Sequence, residues 1–211
     1  MTMERAYYVA VDDILRELQT LPPVTIDYIT FSGAGEPTLA ENLGQMIRAV
    51  RNVRKEKIAV ITNSSLLDLT SVREDLALAD MVVAKLDAAT QADLEKVNRP
   101  HRDSPFEKIF RFLLEFRATY PGRLALQIMF VAANKDSAPA IAELTRELQP
   151  DEVHLNTPLR KCAVAPLSVE EMHAIEGYFC GLTVHSVYAA QHVQVRSISD
   201  KDTLARRGKV V

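Results

Sequence analysis

Carboxylates, amides and hydroxyls that stand just after apolar runs are the groups in this sequence that could hold a small molecule. The first set closes the run at residues 24–31, where Ser32-Gly33-Ala34-Gly35 leads into Glu36-Pro37-Thr38. A buried strand that ends in a glycine-bearing loop presents backbone N–H groups to a ligand. Gly33 and Gly35 let the main chain turn with positive φ and let a ligand approach with no Cβ in the way. Glu36, with Pro37 stiffening the exit, offers an acceptor to an amine. The same residues also describe a plain strand-to-helix turn with a solvated glutamate, because a short Gly-x-Gly is weak evidence by itself.

Further groups follow later runs. Asn63, Ser64 and Ser65 succeed Ile58–Ile61 and suit a ribose or carboxylate, or an ordinary turn cap. Lys85 and Asp87 stand two apart, so an extended segment points them the same way, as a salt bridge or with Asp87 accepting from vicinal hydroxyls. In Asn98-Arg99-Pro100-His101, the planar fork of Arg99 suits a carboxylate or phosphate, and His101 could relay a proton, or simply pack in a loop. Gln127 interrupts an otherwise apolar strand, where a buried amide needs a partner. His154 reads as strand-face packing, too remote from His101 and His173 for a local metal motif. Cys162 and Cys180 are the two cysteines of the chain and form no Cys-x-x-Cys, which reads as two separate reduced thiols.

The elements that position these groups alternate. Helical spacing marks residues 11–21, 43–54, 71–79, 91–97, 105–120, 138–148 and 168–179. Short apolar strands are predicted at 24–31, 58–61, 81–84, 124–131 and 152–156, with a last one at 182–188. Ser71, with Glu74 three residues on, is the predicted cap of the third helix. Residues 1–9 read as an irregular lead-in. Alternation of this kind means a parallel sheet with crossover helices, and the candidate ligand residues all fall after strand C-terminal ends, where such sheets bind.

Composition sets the outer limits. The chain has 211 residues, 47% hydrophobic and 25% charged, with a formal charge of −3. That suits one soluble domain and gives no basic patch that argues for nucleic acid by charge. No uninterrupted apolar window is long enough to span a membrane, and Glu4, Arg5, Asp12 and Asp13 speak against a secretory signal. A cytoplasmic protein with no membrane partner is expected.

The stretch Ser32–Leu39, SGAGEPTL, resembles the GGE-type motif of radical S-adenosylmethionine (radical SAM) enzymes, in the variant of stand-alone iron–sulfur oxidoreductases related to the wyosine-forming family. Asn63-Ser64, Leu86-Asp87-Ala88, Asn98–His101, Asn134 and Asn156–Arg160 extend the resemblance to about residue 190. The resemblance implies an α/β fold: a partial (β/α)6, TIM-like radical SAM barrel over residues 1–190, with the first β/α unit missing and a poorly ordered tail at 191–211. It implies SAM as cofactor, held by Ser32, Gly33, Gly35 and Glu36 at the methionyl amine and by Asn63, Ser64 and Asp87 nearby. Gln127 and Asn156 would complete the far side. The chain departs from the family pattern at Ala132-Ala133, where a glycine is usual, and at Lys161, where a proline is common.

The family's reductive cleavage of SAM to a 5′-deoxyadenosyl radical needs a 4Fe–4S cluster on Cys-x-x-x-Cys-x-x-Cys, and the sequence contains no such motif. No catalytic residue and no metal ligand is therefore assigned in this chain. For the intact enzyme the resemblance implies a reductant such as flavodoxin or ferredoxin, and RNA base modification as the chemistry. The competing reading is a truncated or degenerate homologue that binds SAM or another small molecule without redox activity. A third, an aldolase-type barrel, would use Lys85 as Schiff-base residue. Without its first strand the sheet is expected to expose an edge, and to dimerise through it or be poorly soluble.

Overall fold

The structure, a computed structural model, describes residues 3–22, 25–32, 35–160 and 162–189. Six strands, β1 (Tyr28–Phe31), β2 (Lys57–Thr62), β3 (Met81–Lys85), β4 (Arg123–Met129), β5 (Glu152–Asn156) and β6 (Val184–Ser186), form one sheet in sequence order. Every pairing is parallel. Parallel neighbours cannot be joined by a tight turn, so each connection must cross over the sheet. The crossovers carry α1 (Val11–Thr20, ahead of β1), α2 (Leu43–Val53), α3 (Thr70–Leu76), α4 (Gln91–Val97) with α5 (Phe106–Thr119), α6 (Ala138–Leu148) and α7 (Val169–Glu176). Strands laid down in strict sequence order have no switch point, which is the arrangement of a barrel segment.

Side-chain alternation divides the sheet into two unlike faces. Ile58, Val60, Val82, Ala84, Leu124, Leu126, Ile128, Val153 and Leu155 belong to one continuous core with Ile47, Val72, Leu113, Phe116, Ile141 and Met172 from the helices. The opposite face has a small cluster of its own, Ala59, Met81, Val83 and Ala125 with Tyr28 and Ile61, to which no helix contributes. Burial of each large aliphatic side chain in the first core is worth about 1.5–3 kcal/mol, so the helix-packed face holds the fold. The open face is left for other work.

Aspartates pin the N-terminal ends of the strands. Asp80 Oδ2 accepts the Ile58 N–H at 2.8 Å and Arg51 at 2.9 Å. Asp151 Oδ2 accepts the Leu124 N–H at 2.7 Å and Arg117 at 2.9 Å. Burial pushes both carboxyls up, but the backbone N–H and the arginines together outweigh it and hold each below the ordinary carboxylate value.

The elements follow the predicted order, with corrections of detail. The first strand is four residues long, because β2 begins at Lys57 and gives β1 a partner only from Tyr28 onward. The last strand is confirmed as β6, paired through His154 and His185. Ser71 does not cap α3: the helix starts at Thr70, and the Val72 and Arg73 N–H groups donate to the Leu69 carbonyl. The Ser71 hydroxyl instead accepts from Arg5. A capping box does form at α7, between Ser168 and Glu171. The lead-in is tied down, since Ala6 bridges Ala40 and Arg5 donates to the Thr38 and Ala40 carbonyls and to Asp75. Among the described residues no strand pairs with the far side of β1. Gly33, Lys161 and the tail at 191–211 lie outside the described residues.

Candidate functional site

A cavity of about 440 Å³ opens at the C-terminal ends of β1, β2 and β3. Gly35, Glu36, Asn63, Ser65, Lys85 and Asp87 supply its polar wall, and Asn98 and His101 close it from the α4–α5 loop. Met3, Leu39, Leu94, Phe106 and Ile109 form an apolar side. A few convergent polar groups against apolar walls are the usual makeup of a small-molecule site.

Glu36 joins two strand ends across this cavity. It caps the 3-10 turn Pro37–Leu39, which follows β1. Its Oε1 accepts from the Thr38 N–H at 3.2 Å, the Thr38 hydroxyl at 2.7 Å and the Thr62 hydroxyl at 2.7 Å. Among the described residues its Oε2 accepts only the Asn63 N–H, at 2.8 Å. A carboxylate oxygen has two lone pairs, so Oε2 keeps one for a further donor. The bonds to β2 hold it rigidly enough to orient an amine.

Asn63 turns the chain after β2, with its Oδ1 accepting the Ser65 N–H at 2.9 Å. That turn sets Ser64 in the left-handed region at φ 66° and buries it, its hydroxyl without a partner among the described residues. Ser64 therefore lies beneath the wall. Ser65, offered by the sequence beside Asn63 and Ser64 but left out of the SAM contacts the resemblance implies, stands on it.

Asp87 is almost fully buried and already supplied with donors. Its Oδ1 accepts the Met129 N–H at 2.8 Å, and its Oδ2 accepts Asn98 Nδ2 at 2.6 Å and lies 3.2 Å from Lys85 Nζ. The carboxylate thus ties the ends of β3 and β4 to the α4–α5 loop. Asn134 completes the joint, donating to the Asp87 and Met129 carbonyls while its Oδ1 accepts the Val131 N–H. That role needs no glycine before it, which accounts for Ala132-Ala133. His101 Nδ1 lies 3.3 Å from both the Asp103 N–H and its carboxylate.

The remaining assigned residues are not on the cavity wall. Ser32 is exposed at the end of β1. Gln127 lies beside Lys85 in the sheet, on the face without helices, and Asn156 pairs with Met129 one strand further on. The structure brings Gly35, Glu36, Asn63 and Asp87 together and sets Gln127 and Asn156 apart from them. The apolar side, from Leu94, Phe106 and Ile109, was hidden in residues that read only as helix core.

The described residues contain no group of three or more His, Cys, Asp or Glu side chains able to hold a metal ion. Cys162 and Cys180 are both exposed and free. The thiolates present do not fit a cluster that requires three.

No family model matches the chain. A UPF0026 protein of Synechocystis is 36% identical over 158 residues, covering 74% of this chain and 60% of that protein. A protein described as GTPase Obg, from Brachyspira hyodysenteriae, is 32% identical over 204 residues, covering 93% of this chain and 29% of that one. A probable GTP 3′,8-cyclase of Saccharolobus solfataricus is 23% identical over 197 residues, covering 91% and 62%. The chain thus spans less than two thirds of the length of each of these relatives. Among solved structures, a radical SAM methyltransferase from Sphaerobacter thermophilus superposes with a TM-score of 0.63 at 20% identity, over 82% of this chain and 53% of that one. SuiB of Streptococcus suis bound to S-adenosylmethionine gives 0.60 at 14% identity, over 82% and 43%. The six-stranded parallel sheet has the fold of a partial radical SAM barrel.

Proposed function

We propose that this chain binds S-adenosylmethionine in the cavity at the ends of β1–β3, with the methionyl amine donating to Glu36 Oε2. The observation that carries the reading is the spare lone pair on a carboxylate otherwise fixed by four hydrogen bonds. Gly35 leaves the approach open, since a Cβ built there would meet nothing within 4 Å. Asn63 and Lys85 offer donors nearby for a carboxylate or ribose, and the side formed by Leu39, Leu94 and Phe106 excludes water from the apolar part. Bound SAM supplies an activated sulfonium centre. Binding, orientation and water exclusion are what these residues contribute.

Reductive SAM cleavage is the reaction we propose for the longer proteins of this kind, with a flavodoxin- or ferredoxin-like reductant and RNA base modification as the chemistry suggested by resemblance. No step through a cluster is derived for this chain, whose two cysteines cannot supply three thiolates. That count favours a second reading, a SAM-binding module without redox activity of its own. Among the described residues no helix is long and apolar enough to cross a membrane, and a cytoplasmic location is proposed on that basis and on the free cysteines. The unpaired side of Tyr28–Phe31 supports a dimer through that edge; light scattering that finds only monomer would remove it. Calorimetric titration of the chain with SAM tests the central reading, with Glu36→Gln as the control that weakens binding at least tenfold.

A further inference from the structure

The sheet face without helices carries one row of polar side chains in strict register. Lys85 pairs with Gln127, Gln127 with His154, and His154 with His185. Their neighbours along each strand, such as Ala84, Leu126, Val153 and Leu155, point into the helix-packed core, so alternation puts the row on the open face. With strands 4.7–4.9 Å apart, the row spans about 14 Å. Beneath it lie Val83 and Ala125, which are buried and apolar.

The row is short of partners. Among the described residues the Gln127 and Asn156 carboxamides form no hydrogen bond, and His185 has only an edge-on ring contact with His154, at 5.6 Å between centroids. His154 Nε2 lies 3.0 Å from Glu152 Oε1, and a carboxylate only accepts, so that nitrogen carries the proton. Glu152 is held in turn by Arg123 at 2.7 Å. Lys85 and Arg123 border the row, each paired with a carboxylate, Asp87 and Glu152 respectively. Unpartnered N–H donors beside two cationic side chains favour an anion.

We propose that Gln127, His154 and His185 form a second ligand subsite on the open face, which takes the anionic oxygen group, phosphate or carboxylate, of a reactant. Gln127 supplies an amide N–H and His185 a ring N–H, His154, whose N–H goes to Glu152, packs edge-on against His185 and positions it, and Arg123 adds a guanidinium at the border. Lys85 belongs both to this row and to the cavity wall, so a ligand seated here lies beside the one held by Glu36. The subsite's place in a reaction rests on the SAM reading; its affinity for an anion does not.

The test is side-chain NMR of the full chain at neutral pH, titrated separately with inorganic phosphate and with acetate. Saturable shifts of the His154 and His185 rings and the Gln127 amide by either anion are expected, and the stronger of the two identifies the group. His173, with 86% of its side chain exposed on α7, should move only linearly. His185→Ala or Gln127→Ala should weaken the saturable binding about tenfold, the loss expected from one good hydrogen bond to an anion. Shifts at His154 and His185 no larger than at His173, for both anions, would overturn the proposal. So would saturation that neither variant changes. In Glu36→Gln the anion shifts should persist; saturable anion shifts in a wild-type chain that does not bind SAM would refute the SAM reading and leave this one standing.

Discussion

Asp87→Asn separates a structural joint from a ligand contact. If the asparagine keeps its oxygen on the Met129 N–H, its amide nitrogen faces Asn98 Nδ2 and Lys85 Nζ, which are donors. Two interactions with the charged oxygen are then lost. Hydrogen bonds to charged groups contribute about 1.5–3 kcal/mol each, and removing one partner of a buried ion pair costs about 3–5 kcal/mol. Lys85, with 31% of its side chain exposed, regains water, which places the net loss at about 3 kcal/mol at the low end of that range. For a chain of this size that lowers Tm by about 6–12 °C. Urea unfolding reads the free energy directly, and Lys85→Met in the Asp87→Asn background should recover about 1 kcal/mol by removing the stranded cation. Were Asp87 chiefly an acceptor for ribose hydroxyls, SAM affinity would fall at least tenfold while stability held. A stability loss under about 1 kcal/mol would refute the joint.

Three further outcomes follow from the fold. Ser64→Gly should raise stability by about 1 kcal/mol, since it relieves a left-handed residue and removes an orphaned hydroxyl, offset in part by unfolded-chain entropy; an unchanged or lower urea midpoint would count against the strain. Leu126→Ala, at a fully buried strand position facing the helices, should cost about 2–5 kcal/mol. Asp80 and Asp151 have folded pKa values below the ordinary 3.8, so the unfolded chain protonates first as pH falls. Their stabilisation is whole above that value and is lost as pH drops through it towards the folded pKa. Asp80→Asn with Asp151→Asn should therefore lower stability at neutral pH and flatten the acid limb, and an acid limb as steep as wild type would contradict the pinning.

The fold was legible because parallel strands leave two kinds of mark. Ile58–Ile61 and Val82–Ala84 are apolar on the helix-facing side and tolerated small or apolar residues opposite, so they read as short continuous runs between amphipathic helices. Glu36 was legible too, because Pro37 and the strand before it fix its place in the chain. Asp87 was visible as a strand-end carboxylate, but its partners come from 11 and 42 residues further on, and only the crossover geometry brings them in. The exchange of Ser64 for Ser65 on the wall depends on a positive φ, which serine does not announce. The same Ser-x-x-Glu pattern occurs at Ser71 and at Ser168, yet only the second forms a capping box. At Ser71 the chain enters from a turn whose Leu69 carbonyl already takes the first helical N–H groups, and Arg5 claims the hydroxyl. The row from Lys85 to His185 was illegible for a different reason: register between strands sets it, and no single strand contains more than one of its members.

The most direct test of the account is the affinity of this chain for SAM, measured by calorimetry on wild type and Glu36→Gln, with the fold of the variant checked by circular dichroism. Saturable one-to-one binding in wild type, weakened at least tenfold in Glu36→Gln, is the predicted result, since the variant puts an amide N–H donor in place of the oxygen that has a lone pair to spare for the amine. Binding that is absent in wild type, or equally strong in both chains, would contradict it.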